Sequence, residues 1–198
     1  KKHEVSLVSF VEAEEEAASV SSLRSHCKRI ETVKRTHHVP VSLFPYEPFE
    51  EFNCLEFRER LEALLVEEDF DLVHFEWPQM AQYADLFRGI PRFLTEVEVS
   101  YAAHYTVVAL QRNPLKKVRK LYESLQTLYR EVELCRKVDQ VVCVTDEDRN
   151  SLRGYVEERK LSVINTGVDT HYFTFNESRS FEPDTLVFVG AFRHEPNV

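Results

Sequence analysis

Only four of the 198 residues are glycine. A chain so poor in glycine builds no phosphate-cradling loop, and no Walker A, GxGxxG or GxSxG pattern occurs in it. Cysteine is also scarce. Cys27, Cys54, Cys135 and Cys143 form no CxxC pair, which removes a disulfide framework or zinc ribbon and points to reduced core thiols, as in a cytoplasmic protein. No apolar run approaches the roughly 20 residues that a membrane span requires, and no signal-peptide pattern is visible. Cationic excess is missing as well. The 25 Lys and Arg against 34 Asp and Glu give a formal net charge of −9, the wrong sign for a duplex nucleic-acid binder. His37-His38 is read as a surface pair and not as a metal site. Neighbouring histidines on a strand point to opposite faces, and no third ligand follows at a familiar spacing.

What is present is a globular composition, 43% hydrophobic and 30% charged, on a length sufficient for one substantial domain. The stretch from Asp139 to Phe173 organises it. Val141 to Val144 is a short β-branched run, as expected of a strand buried on both faces. Thr145 follows as an N-cap, with Asp146, Glu147 and Asp148 in the first helical turn, where the dipole favours negative charge. Leu152, Tyr155 and Val156 share one helical face, and Leu161 to Ile164 is the next strand. Strand, helix and strand make a βαβ unit of a parallel sheet. Ligands of open α/β sheets collect at the carboxyl ends of strands, so Thr145 and Asn165 to Asp169 fall on the functional edge.

Earlier in the chain, Val5–Phe10 and Ile30–Thr36 read as strands, with a helix over Glu12–Arg29 between them. Phe52 to Glu68 reads as a helix with Leu55, Leu61, Leu64 and Leu65 inward. Asp71 to Trp77 is a strand stopped by Pro78. His74, Glu76 and Trp77 near its end either line a ligand cleft or form the polar face of a half-buried strand. A short helix over Met80–Phe87 precedes the strand Arg92–Glu96. Glu96 and Glu98, two residues apart, share a face at that strand's end. They either point to solvent or raise each other's pKa for acid/base work.

Helical segments follow over Ser100–Leu110 and Pro114–Lys137. The second has Leu121, Leu125, Leu128, Val132 and Cys135 as its core stripe. Arg112, Lys116, Lys117, Arg119 and Lys120 are the only dense basic cluster. It is read as a solvated helix end, the alternative being contact with anionic lipid headgroups or an anionic acceptor. A polar linker, 176–184, leads to a strand-like run, Leu186 to Val189. Gly190 after it allows close ligand approach to the backbone.

Asp139 to Thr145, then Val163-Ile164-Asn165-Thr166-Gly167-Val168-Asp169 and Phe173, resemble the "D-x-h-h-x-h-S/T … h-I-P-N-G-V-D-x-x-x-F" signature of family-4 (group 1) GT-B glycosyltransferases. The resemblance implies an α/β, Rossmann-like parallel sheet with helices on both faces, the N-terminal half of a GT-B fold lacking its first strand. It divides the chain into an acceptor-side domain (1–175), a linker (176–184) and the start of a donor domain (185–198). The chain opens without methionine in a strand and stops just past a new one, so it reads as part of a longer protein.

The resemblance also supplies the chemistry. A retaining transferase moves a sugar from a nucleotide-sugar co-substrate to an acceptor hydroxyl, on a glycan or a lipid-linked carrier. It needs no metal and no other cofactor, and works in the cytoplasm or at its membrane face. His74 matches the family's "D-h-h-H" strand. Glu96 matches the acid of "D/E-H-N/D-h-E", and Glu98 stands at its polar position. Val97 occupies the place of the usual histidine, so either Glu98 or a shifted residue such as His104 takes over, or the chain is a non-catalytic module of the same fold. Asn165, Gly167, Asp169, Gly190 and Arg193 fall on the implied donor side. Without the donor half, this stretch is expected to be inactive alone.

Overall fold

The computed structural model describes residues 3–12, 20–35, 47–100, 107–174 and 183–190. His37, His38, His104 and Arg193, and residues 13–19 and 101–106 of the expected helices over 12–29 and 100–110, lie outside them. Residues Lys1–Asn165 form one compact unit and Thr166–Val198 a second.

In the first unit all strand pairing is parallel. Strands β1 (Ser6–Val11) and β2 (Arg29–Lys34) make a two-stranded sheet. Strands β3 (Val73–Glu76), β4 (Arg92–Glu96), β5 (Gln140–Cys143) and β6 (Leu161–Val163) make a four-stranded sheet in that order. The α/β, Rossmann-like expectation holds, with one difference. Among the described residues there are two sheets instead of one, and no strand joins β1 to β3. Core packing links them all the same: Phe10 of β1 stacks on Phe57 at 4.2 Å, and Phe57 meets Tyr83 at 5.1 Å.

Among the described residues, the helices α1 (Leu55–Glu67), α2 (Pro114–Lys137) and α3 (Asp146–Leu152) pack with these sheets. The turns Val20–Ser25 and Pro78–Leu86, where α-helix was expected, are 3-10. On α1 Phe57 and Leu64 are buried, Leu61 and Leu65 are half-buried against the core as expected, and Leu55 faces solvent. Tyr83 fixes the start of α1, accepting from the Cys54 backbone N–H at 2.9 Å and donating to the Phe52 carbonyl at 2.6 Å.

Helix α2 begins as its sequence dictates. Pro114 occupies the first turn, and the Asn113 side chain accepts from the amides of Leu115 and Lys116, two of the donors that a helix start leaves orphaned. At its other end, the Lys160 ammonium donates to the carbonyls of Arg136 and Val138. Its buried face corrects the expected stripe. Val132 and Cys135 are buried, but Leu121 and Leu125 point outward, and the inward face carries Glu123, Ser124, Thr127, Glu131 and Leu134. Polar groups survive burial when bonded. Glu123 takes Arg119 at 2.9 Å and Lys120 at 2.8 Å, and the Thr127 hydroxyl donates to the Glu123 carbonyl.

The βαβ unit forms as read. Val141, Val142 and Cys143 are buried. Thr145 caps α3, its oxygen accepting from the Asp148 amide at 3.0 Å. Leu152 and Val156 are buried, but Tyr155 falls beyond the helix and is exposed.

In the second unit, Asp169 folds a local turn, its carboxylate accepting from the amides of His171 and Tyr172 at 2.9 and 3.2 Å. Leu186–Val189, expected as a strand, is irregular and exposed. Strand geometry needs a ladder partner, and none of the described strands pairs with it.

Candidate functional site

Parallel pairing aligns the carboxyl ends of β3 to β6 along one edge, with Glu76 opposite Thr95, Glu96 opposite Cys143 and Cys143 opposite Val163. Alternation sorts their side chains by face. Val73, Phe75, Leu94, Glu96, Val141 and Cys143 share one parity, and His74, Glu76, Phe93 and Thr95 the other.

The second set makes an open polar group at the tips of β3 and β4. The His74 imidazole packs edge-on against Phe93 at 4.8 Å. Its Nε2 is hydrogen-bonded with Thr95 Oγ1 at 2.6 Å and lies 3.5 Å from Glu76 Oε1. All three remain at least partly accessible. Trp77 follows with φ of 72°, its amide donating to the Thr95 carbonyl at 3.1 Å. A bulky residue at positive φ is strained, and such strain concentrates at functional sites. The structure therefore brings His74, Glu76 and Trp77 together as one exposed group. It adds Thr95, which sequence reasoning missed although its parity with Phe93 and its place opposite Glu76 were there to be read.

Glu96 and Glu98 do not share a face. Strand β4 ends at Glu96, and the alternation fails with it. Glu98 is exposed, whereas Glu96 is 0% exposed. The signal was Leu94: a residue of the same parity as a core leucine must face the core. Glu96 therefore meets no solvent, and its neighbours differ from the expected one. Burial pushes its carboxyl well above the usual carboxylate range. The negative charges of Glu131 and Asp148 push it further, with partial offset from the Glu98 backbone N–H and the Cys135 thiol. That thiol lies 3.9 Å from Oε2, and Oε1 has no hydrogen-bond partner. Burial and the neighbouring negative charges thus favour the protonated form of Glu96.

These acids surround one short piece of backbone. The Ser100 amide donates to Glu131 Oε1 at 2.7 Å, the Val99 amide to Asp148 Oδ1 at 3.3 Å, and the Glu98 amide acts on Glu96. Three consecutive amides after β4 thus turn toward three carboxyls from α2, α3 and β4.

At the tip of β5, Thr145 is half-buried and its hydroxyl donates to Asp148, so its hydrogen bonds serve the cap of α3. Asn165, the last residue of the first unit, is exposed at the tip of β6 and donates from Nδ2 to the Val144 carbonyl at 3.1 Å. In the second unit Gly167, Asp169 and Gly190 are exposed. Nothing lies within 4 Å of where a Cβ of Gly167 would stand, so no close approach requires glycine there. Among the described residues, no group of three or more His, Cys, Asp or Glu could hold a metal ion.

The sequence model of one family, described as Glycosyltransferase Family 4, matches residues 1–172. No curated protein matches the chain.

Proposed function

The chain belongs to glycosyltransferase family 4, and from that premise we propose that it forms the acceptor-side domain of a retaining enzyme moving a sugar from a nucleotide-sugar donor to an acceptor hydroxyl on a glycan or lipid-linked carrier. Residues 1–175 are the acceptor-side domain, 176–184 the linker, and 185–198 the start of the donor domain. The observation that carries this reading is the exposed group at the tips of β3 and β4. His74, with its Nε2 already within hydrogen-bond reach of Thr95, and Glu76 beside it can hold and orient a sugar hydroxyl. Orientation is a large part of catalysis in a two-substrate transfer. Trp77 offers an indole face of the kind that covers the apolar side of a sugar ring.

Glu98 supplies an exposed carboxylate on a turn whose next two amides are held by Asp148 and Glu131. Glu96, sealed from solvent, acts as a positioning residue and not as an acid or base on substrate. Asn165, Gly167, Asp169, Gly190 and Arg193 belong to the donor side, where phosphate charge is met by basic side chains and backbone amides. The donor is a co-substrate, and neither metal nor other cofactor takes part.

A second reading, a non-catalytic module of the same fold, is favoured by Val97 at the family's histidine position and by the burial of Glu96. Heteronuclear NMR of the chain with methyl glucoside and maltose, alongside calorimetry with UDP-glucose and GDP-mannose, separates the two. The transferase reading expects sugar-dependent shifts at His74, Trp77 and Glu98 and little or no heat from either donor. Tight donor binding to this chain alone contradicts the division of labour. Silence at the strand tips favours the non-catalytic module.

A further inference from the structure

One face of helix α2 packs on the core, and the other carries a second apolar pattern. Leu115, Val118, Tyr122, Leu125, Tyr129 and Val132 are spaced three and four residues apart in turn. That alternation averages 3.5 residues, the spacing of a seam that packs against another helix. Leu115, Val118 and Tyr129 are 82, 68 and 72% exposed. No charged residue falls on the seam from Leu115 to Val132. At 100° per residue, Lys116, Lys117, Arg119 and Lys120 centre on the opposite side, where two of them bond Glu123. A seam free of charge suits a protein contact, whose centre is depleted of charged residues.

The two halves of the seam differ in shape. The first half is a ridge of Leu115, Val118 and Leu121. The second half borders a groove of about 500 Å³, lined by Leu125, Leu128, Tyr129 and Val132 and closed by Tyr155 from the loop after α3. A two-fold contact needs a patch that complements itself, and a ridge and a groove on one helix supply it.

We infer that α2 pairs antiparallel with α2 of a second copy. Leu115 then lies opposite Val132, Val118 opposite Tyr129, and Tyr122 opposite Leu125, so the ridge of each copy enters the groove of the other. The area is sufficient. Leu115, Val118, Leu121, Leu125, Tyr129 and Tyr155 expose about 700 Å² per copy, and twice that lies within the roughly 1,200–2,000 Å² of specific interfaces. The border of the seam agrees with the direction. Arg119, Gln126 and Glu133 follow at seven-residue intervals, and antiparallel pairing sets this border against itself, cation toward anion at both ends. Arg119 already bonds Glu123, and Glu133 bonds Arg130 and Lys137. The match therefore sets orientation more than affinity. The inference rests on α2 and its groove and not on sugar transfer.

Sedimentation velocity of the whole chain over about 1–100 μM tests it, a range that covers the weak end for interfaces of this size. The chain should sediment as a dimer at the upper end. Val118→Asp and Tyr129→Lys stand at exposed positions, and circular dichroism checks the fold of each. Each should weaken the dimer at least about a hundred-fold, because it buries two unpaired charges there. Mixed in equal amounts, the two variants should dimerise again, since the aspartate of one copy then faces the lysine of the other. A parallel pair sets like positions together and gives no such rescue, and neither does a misfolded variant. Monomers throughout, a dimer indifferent to both substitutions, or variants that stay monomeric when mixed overturn the inference.

Discussion

Replacing Glu96 with glutamine isolates the cost of its buried proton. Glutamine keeps the shape of the side chain and is neutral at every pH. Burial, then Glu131 and Asp148, hold the Glu96 carboxyl well above its ordinary value of 4.5. The folded protein therefore keeps a proton that the unfolded chain has lost, and unfolding releases it. Stability falls as pH rises, beginning near the unfolded value of 4.5 and continuing up to the folded value. Each pH unit in that window costs about 1.4 kcal/mol. Between pH 4.5 and about 7 the ceiling is therefore about 3 kcal/mol for a proton that stays on throughout.

Glu96→Gln removes this cost. Urea unfolding of both proteins across pH is the assay. Groups other than Glu96 and its neighbours titrate alike in the two, so their difference curve reports the buried site: Glu96 with Glu131 and Cys135 of α2, Cys143 of β5 and Asp148 of α3. The two proteins should be close in stability near pH 4, and the variant more stable by about 1–3 kcal/mol near pH 7. A flat difference curve, or a variant that loses ground as pH rises, refutes a protonated Glu96 in the core.

The surrounding contacts give further expectations. Thr145→Ala deletes the side chain that caps α3 and bonds Asp148, and should cost about 1 kcal/mol in thermal or urea unfolding. The Cys143 thiol is pushed up to about 12, by burial first and then by Glu96 and Asp148. Cys135 is raised by burial and then by Glu96. An aromatic disulfide reagent at pH 8 should therefore titrate Cys27 and Cys54 in the native protein and all four free thiols only in denaturant. Glu131→Ala takes away the acceptor of the Ser100 amide. By the usual strength of a hydrogen bond to a charged group, hydrogen exchange at Ser100 should quicken about ten- to hundred-fold, and Glu131→Gln, which retains an acceptor oxygen, should restore most of the protection.

The strands of the second sheet were legible because each is a short apolar or alternating run bounded by turn or capping residues. The βαβ unit was legible down to its cap, since Thr145 and three acids can start a helix and do little else there. The turn after β4 was not. Two glutamates two residues apart look like one face only while the strand continues, and β4 stops at Glu96. Which side of α2 is buried was hidden for a related reason. Its leucines repeat at helical spacing on the outer side, while the inner side reads as polar. Glu123, Thr127 and Glu131 become acceptable core residues only because their hydrogen bonds are met, as by Arg119, Lys120 and the Ser100 amide. Such partners are properties of the folded chain and carry no local pattern.

That hidden side explains how the strand tips are organised. A loop leaving a buried strand turns its amides inward, and each needs an acceptor. Here the acceptors are carboxyls. Glu131 comes from the long helix α2, Asp148 from the first turn of α3, and Glu96 from β4 itself. Three elements thus converge on one turn, and a shift of any of them moves the backbone that displays Glu98 beside the tip of β4. Two buried acids beside a half-buried third are electrostatically costly, and a core built for stability alone would use apolar side chains there. Their retention is understandable when the turn must be fixed more than the core must be stable, which is the requirement of a surface that orients a substrate hydroxyl at the strand tips.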